Sequence, residues 1–382
     1  MKKKLLILLL IIGYSFAQGQ SEKALFVVDS IPIIEEPKEN NILSQNEINN
    51  VVTITKRQTL DSLGYDEMDK VIYIFTKEYV NRPDSLKSIP STGSMENRNS
   101  TWYLRNNTSP YSGRFIDYYM NGKKQGEGYL FNGRLKGNRK MYYQNGNISA
   151  DLEYENGISN GSEKSFYEDG KLKEEGITTN QKKIGLWKSY HPNGQIKQLT
   201  PHNGNSLIHG ELVSYYSTGK IKSSFKYEDG TYIKDKKFEK IYESYNDGQE
   251  NFKLGNFKSA IKKYTKCIEL DPTSADAYFA RGTAKLENLE FDEAKKDFDK
   301  TLEIEPFFTN AYANRAFSII RKYEFANSRD VKGFKGVKIM SAKKTVIPKD
   351  EKVMVCKDLN KAVSLGDKIR MVIDALKDHC EK

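Results

Sequence analysis

The sequence predicts a multidomain α+β protein: a small β-α-β module, then an antiparallel β-meander built from repeats, then an α-helical solenoid. Two internal periods and one unrepeated segment predict it. Glycines recur every 24 residues through the middle of the chain, and glycine, alanine and proline recur every 34 residues after it. The stretch before both has alternating apolar runs of its own. With 382 residues the chain is too long for one ordinary domain. An apolar fraction of 37% is low for one large core and suits thin layers that each bury a narrow strip.

Residues 1–17 read as an export signal. Lys2, Lys3 and Lys4 form a basic start, Leu5 to Ile12 an apolar run, and "SFA" places cleavage between Ala17 and Gln18. The run is short for a permanent span, and an uncleaved anchor is the alternative. No Cys follows the cut, so a lipid anchor is not supported. The expectation is an exported chain, periplasmic, outer-membrane-associated or secreted. Cleavage removes three lysines and no acids, so the formal charge falls from +10 to +7. That modest charge argues against a nucleic-acid partner, which requires a concentrated basic face.

Residues 18–81 form the first module. "ALFVVDSIPI" reads as a strand and turn, "LSQNEINNVVTITK" as a short helix then a strand, and "YDEMDKVIYIFTKEY" ends in another strand. The phrases "FVVDSIPI", "INNVVTITK" and "VIYIFTKEY" resemble the plug domain of TonB-dependent receptors, with Ser30 where that pattern usually has Gly. No barrel follows here, so the resemblance implies a free-standing docking surface. Residues 82–110, rich in Ser, Asn and Pro, read as a linker.

Residues 111–240 write one sentence five times. Gly122, Gly146, Gly170 and Gly194 are spaced by 24 and Gly219 follows by 25. Gly113, Gly137, Gly161, Gly185 and Gly210 repeat likewise. Gly133, Gly157, Gly204 and Gly230 form a third set, with one member missing near Gln181. Asn-Gly and Asp-Gly predict two-residue hairpin turns with positive φ at both central residues. Runs such as "RFIDYY" and "KMYYQ" read as strands, two per copy, so five copies make a meander of about ten strands. In each aromatic pair one ring faces the packed side and the other solvent or a groove. The phrases "GRFIDYYMNGKK", "GNRKMYYQNGN", "GSEKSFYEDGK", "GLWKSYHPNGQ" and "GELVSYYSTGK" resemble the bacterial MORN repeat. The resemblance implies an elongated single-layered sheet that contacts proteins or membranes. The tyrosine ladder could equally do no more than stack neighbouring copies.

Residues 241–382 change period. Gly248 and Gly282, Ala260 and Ala294, Tyr264 and Phe298, and Pro272 and Pro306 are each 34 apart. "GNFKSAIKKYTKCIELDP" and "LEFDEAKKDFDKTLEIEP" carry apolar residues at helical spacing and stop at proline. They resemble the tetratricopeptide (TPR) repeat. A third copy begins at "TNAYANRAFSIIRKYEF". Its second helix, "VMVCKDLNKAVSLGD" with Leu359 and Ala362 in the expected roles, is delayed by an inserted loop or hairpin over 328–350. "KIRMVIDALKDHC" caps the end. The resemblance implies a peptide groove lined by Tyr245, Gln249, Phe252, Phe279, Thr283, Leu286, Asn310, Phe317 and Ile320. Tyr245, Gln249, Ala280, Asn310 and Asn314 stand where some relatives clamp a C-terminal carboxylate, which argues against that ligand. A small packing domain without a ligand is the other reading.

Catalytic chemistry finds no foothold. His191, His202, His209 and His379 are irregularly spaced, and no HExxH, GxSxG or P-loop phrase occurs. No catalytic, metal or cofactor residue is expected. Cys267 reads as a buried free thiol. Cys356 opens one helix and Cys380 closes the next, with Gly366 between, so an antiparallel pair brings both to one end for a disulfide. Arg329 to Lys349 holds seven basic residues and one acid, a solvated loop or a contact for anionic lipid or glycan. The functional expectation is an exported, non-catalytic interaction scaffold with envelope protein or peptide partners. A binder of anionic membrane or glycan surfaces is the alternative.

Overall fold

The computed structural model describes residues 23–33, 41–326, 328–330, 338–339 and 346–380. The signal segment with its Ala17–Gln18 junction and most of the basic insertion lie outside the described residues. The chain divides into two compact units, residues 1–194 with 202–206, and residues 195–201 with 207–382.

In the first unit, β1 (Ala24–Val28) turns through Asp29 and Ser30, φ 49° and 71°, into β2 (Ile31–Ile33). A 3₁₀ turn, Gln45–Glu47, leads to β3 (Ile48–Ile54), and α1 (Arg57–Ser62) crosses to β4 (Lys70–Thr76). The sheet order is β2-β1-β4-β3, with β1 parallel to β4 and the other pairs antiparallel. Period-two alternation divides its apolar residues between two clusters, Val28, Leu43 and Ile74 in one and Val27, Leu60 and Val71 in the other. The buried Asp29 carboxylate accepts from the Thr76 amide at 2.8 Å and the Thr76 hydroxyl at 2.5 Å. Burial pushes its pKa up despite these bonds.

Residues 82–110 do not form the expected linker. After α2 (Lys77–Asn81) come α3 (Asp84–Lys87) and the hairpin of β5 (Met95–Arg98) with β6 (Thr101–Leu104). Met95 is buried with Phe115 and Leu130, and Trp102, Leu104 and Tyr111 pack around them. The Trp102 amide donates to the Gly133 carbonyl at 2.9 Å. The Ser, Asn and Pro content marked turns correctly, but the apolar residues between them anchor the segment to the first repeat.

The repeats in this unit supply β7 (Gly113–Tyr118), β8 (Lys124–Phe131), the short β9 (Arg134–Leu135), β10 (Gly137–Tyr142), β11 (Ile148–Glu155), β12 (Ile158–Phe166), β13 (Leu172–Thr179) and β14 (Lys182–Tyr190). They pair antiparallel in chain order, with β9 on β8 beside the path. Two turn types alternate. Asn132-Gly133 and Asn156-Gly157 have positive φ at both positions, as expected, and Asn180-Gln181 reproduces the pair at 49° and 65° where the glycine is missing. The Asn121-Gly122 set differs. There only the glycine is left-handed, at 82°, 91° and 86° for Gly122, Gly146 and Gly170. Each closes a three-residue loop: the Gly122 amide donates to the Tyr119 carbonyl at 2.8 Å, and the Tyr119 amide to the Lys123 carbonyl at 2.8 Å. The register shift before each loop marks the accompanying bulge.

In the first three copies the second aromatic joins one copy to the next. The hydroxyls of Tyr119, Tyr143 and Tyr167 donate to the carbonyls of Tyr142, Phe166 and Tyr190 at 2.7, 2.6 and 2.6 Å. On strand faces, glycines make room for large rings: a Cβ on Gly176 would lie 2.2 Å from the indole of Trp187.

In the second unit, β15 (Ile196–His202), β16 (Gly210–Tyr215), β17 (Ile221–Glu228) and β18 (Thr231–Tyr232) continue the antiparallel pattern. Seven helices follow: α4 (Lys236–Lys253), α5 (Phe257–Leu270), α6 (Ala275–Glu287), α7 (Phe291–Ile304), α8 (Thr309–Ala326), α9 (Lys349–Ser364) and α10 (Arg370–His379). Between α8 and α9, Arg329–Asp330 and Lys338–Ile339 pair antiparallel. Asp235 caps α4 by accepting from the Phe238 amide at 2.8 Å, and Ser274 caps α6. Close helix packing depends on Gly248 and Gly282, where a Cβ would lie 2.6 Å from the Tyr264 ring and 2.8 Å from the Phe298 ring.

The fifth repeat turns its loop on the helices. The Tyr216 hydroxyl accepts from the Ala275 amide at 2.8 Å, and the Ser217 amide and hydroxyl both donate to Glu305. Tyr216, Ala275 and Ile304 are buried together with Tyr278 and Phe308 around them.

Gly176→Val should lower stability by about 2 kcal/mol in urea unfolding, the usual scale for overpacking. The Trp187→Ala background should recover part of that loss. An unchanged midpoint would show that the indole does not need the space.

Candidate functional site

Two surfaces are candidates, the strand face of the meander and the inner face of the helical array. On the strand face, one residue per strand lines up across the sheet. Glu127 pairs with Lys140, Lys140 with Asp151, Asp151 with Lys164, Lys164 with Glu175, and Glu175 with Lys188. Acid and base alternate over six strands, so the four inner charges each have an opposite neighbour on either side within the row. Tyr142 donates to Glu127, and Tyr190 donates to Glu175 at 2.7 Å. Burial works against the Glu127 carboxylate, but Tyr142, Lys124 and Arg114 outweigh it and hold its pKa below the usual range. Burial and then the Glu175 bond push the Tyr190 hydroxyl to about 12. Where the aromatic is Phe166, which has no hydroxyl, Asp151 accepts from Asn138 instead, at 3.1 Å.

The inner helical face is built from α4, α6 and α8. Gln249 and Asn310 are exposed. Phe279 is half-buried between Phe298 and Phe308, with ring centroids 5.8 and 4.7 Å away. Thr283 donates to the Phe279 carbonyl at 2.9 Å and accepts from Asn314 at 3.3 Å. Tyr245 packs on Tyr264, and Phe252 on Phe257, each at 5.4 Å between centroids. Leu286, Phe317 and Ile320 are different: at 3%, 7% and 4% exposure they belong to the core. Helical spacing puts them on the right helices, but the interior needed their volume. Phe317 and Ile320 also form the floor of a cavity of about 580 Å³ between α8 and α10, walled by Arg321, Glu324, Arg370 and Asp374.

Three ion pairs set the helix register, and the sequence reading did not find them. Arg281 donates from Nε and Nη2 to Asp297 at 2.8 and 2.7 Å, and Arg315 does the same to Asp358. The arginines are 34 residues apart, which was the available signal. Asp358 lies 61 residues after Asp297, so the insertion adds 27 residues to the period. In the first copy the signs are exchanged: Asp247 stands at the arginine position and Lys263 at the aspartate position, 2.5 Å apart. Burial alone would lower the Arg315 pKa, but its bonds to Asp358 and Asp299 outweigh that and raise it.

Cys356 and Cys380 form a disulfide with their Cα atoms 5.5 Å apart, tying α9 to α10. Cys267 is a free, fully buried thiol whose pKa burial pushes up to about 11. Among the described residues no group of three or more His, Cys, Asp or Glu side chains could hold a metal ion. None of the described helices is long and apolar enough to cross a membrane.

Comparison with known families finds the MORN repeat variant at residues 135–156, 159–180, 183–203 and 208–229, and a TPR repeat at residues 248–288. No curated protein sequence matches the chain. Among solved structures, the Arabidopsis OM64 TPR domain is 19% identical, with 37% of this chain and 94% of that chain covered and a TM-score of 0.29. The TPR2B domain of yeast Sti1, in a complex with pHsp70, is 22% identical over 37% of this chain and 96% of that chain, with a TM-score of 0.29. The second TPR domain of human RPAP3, in complex with an HSP70 peptide, is 18% identical over 38% and 99%, with a TM-score of 0.29. The chain thus carries MORN-type repeats as an antiparallel meander and TPR-type helices after it.

Asp358→Ala should cost ~2 kcal/mol in urea unfolding, because it removes the bidentate, buried partner of Arg315 and leaves the guanidinium only Asp299 at 2.7 Å. A loss below ~1 kcal/mol would mean that the pair acts as an ordinary surface bridge. Denatured without reductant, the protein should offer one thiol, Cys267, to a maleimide, and after reduction all three. Reduction should lower stability by about 3 kcal/mol.

Proposed function

We propose that the chain is an exported, non-catalytic scaffold of the cell envelope that binds protein or peptide partners through its MORN-like and TPR-like surfaces. The observation that carries this reading is on the first helices of the repeats, where Gln249 and Asn310 are exposed and Phe279 is half-buried. Polar groups beside a rigid aromatic suit an extended peptide, which needs hydrogen bonds along its backbone and an apolar seat for its side chains. Both repeat families are interaction modules, and stacking of this kind makes extended surfaces rather than enclosed reaction centres. The lysine start and the "SFA" junction support export, and the disulfide is consistent with an oxidising compartment. The plug-like phrases before Tyr79 support a docking role for the first module.

The test is a crosslinked pulldown of the mature chain from its own cell envelope. Beside it run a Gln249→Glu, Asn310→Glu form and a form lacking residues 329–349. Both positions are exposed, so the substitutions leave the core intact. A defined protein set lost from the double variant alone is the expected result. Recovery of lipid or glycan without a protein set, lost with residues 329–349, would replace this reading with a surface binder. N-terminal sequencing of the recovered protein should begin at Gln18.

A further inference from the structure

A cavity of about 540 Å³ in the first unit lies where the N-terminal module meets the first two three-residue loops of the repeats. Its wall includes Arg82, Lys123, Lys124, Tyr118, Tyr142 and Glu78. Cations outnumber acids in it. In the cavity only Lys124 has a carboxylate in ion-pair range, Glu127 at 3.2 Å. Lys123 donates to the Gln144 carbonyl at 3.1 Å, and Arg82 donates through Nη2 to the Gly122 carbonyl at 2.9 Å. Among the described residues no carboxylate pairs with either.

Two acids that feel these cations are already engaged. Asp29, which feels Arg82, is held by the Thr76 amide and hydroxyl. Glu47, which feels Lys123, accepts from the Ser44 amide and from Asn121. Glu78 is exposed at the rim.

The cationic wall is also fixed in place. The Arg82 guanidinium lies 3.5 Å from the centroid of the Tyr118 ring, and its backbone follows the helix that Thr76 caps. Gly122 is wedged so tightly that a Cβ there would come 2.3 Å from the Thr76 hydroxyl and 2.8 Å from Glu78 Cβ. The Met120 amide donates to Asn41 at 2.8 Å, and Met120 is buried with Val28, Leu43 and Ile74. A guanidinium held over a ring, with Nε and Nη1 bonded to no described protein group, keeps donor capacity that an oxyanion fits.

We propose that this cavity binds an anionic group, a carboxylate or a phosphate, between Arg82 and Lys123, with Lys124 at its edge. The module and the repeats are both needed to form it, which gives their junction a role beyond packing. The inference does not depend on the peptide-binding reading of the helices.

Isothermal titration of the mature full-length chain at fixed ionic strength tests it with two probes, pyrophosphate and citrate. Saturable one-site binding of at least one probe is expected, with Lys123→Gln and Arg82→Gln each weakening it about tenfold. Lys164→Gln, on the strand row outside the cavity, should leave it unchanged. Pyrophosphate alone would assign a phosphate ligand, citrate alone a carboxylate, and both a general oxyanion site. Lys123 is exposed, so its variant reports on binding even where Arg82→Gln disturbs the junction. Failure of both probes, or equal weakening by Lys164→Gln, would overturn the proposal.

Discussion

The hydrogen bond from the second tyrosine of one repeat to a backbone carbonyl of the next is the constraint on which the meander depends. A single-layered sheet has no opposing layer to fix the spacing of its hairpins, so something within the layer must do so. Tyr119, Tyr143 and Tyr167 do this with the same atoms at nearly the same distance. The hydroxyl reaches a carbonyl at the end of a strand, and the ring covers the loop between. The contact fixes position and excludes water at once. It also explains the closeness of the copies, since each tyrosine must satisfy the geometry of the loop behind it and the strand ahead.

The loops themselves carry a second division of labour. One set of turns needs two left-handed residues and can dispense with glycine, as Asn180 and Gln181 show. The other needs one left-handed residue, always glycine among Gly122, Gly146 and Gly170, because the loop is tied at both ends by the tyrosine. The first and last loops of this second type take on additional work. Around Gly122 the N-terminal module grips the loop, and around Ser217 the loop grips the start of α6 and the end of α7.

The repeats, their strand content, the helical period and the delayed third copy were legible because each rests on a residue whose physics is local. Glycine marks a turn, proline a stop, and small residues mark close helix contacts. The Cys356–Cys380 bond was legible too, through helix direction. What the sequence hid was long-range compensation. The segment 82–110 has the composition of a linker, yet Met95, Trp102 and Leu104 cover the face of the first repeat, which has no preceding copy. Leu286, Phe317 and Ile320 fall on the helices expected to line a groove, but whether such a residue faces out depends on the volume of its neighbours. Neither can be read from spacing alone. The charge row was visible only once strand register was known, since Glu127 and Lys140 are neighbours through pairing rather than sequence.

The exchanged signs of the first helical pair have a consequence for assembly fidelity. Repeat arrays risk annealing one unit out of step, because neighbouring units offer nearly interchangeable surfaces. If α6 closed on α5 instead of α7, Arg281 would meet Lys263, and an α4 displaced onto α7 would set Asp247 against Asp297. Both mispairings place like charges where the correct partners hold opposite ones, at a cost that grows with burial. Copies two and three share one polarity and lack this safeguard, but the 27 added residues already distinguish them. A slipped or intermolecularly swapped array is thereby penalised at the one junction where the chain lengths would otherwise permit it.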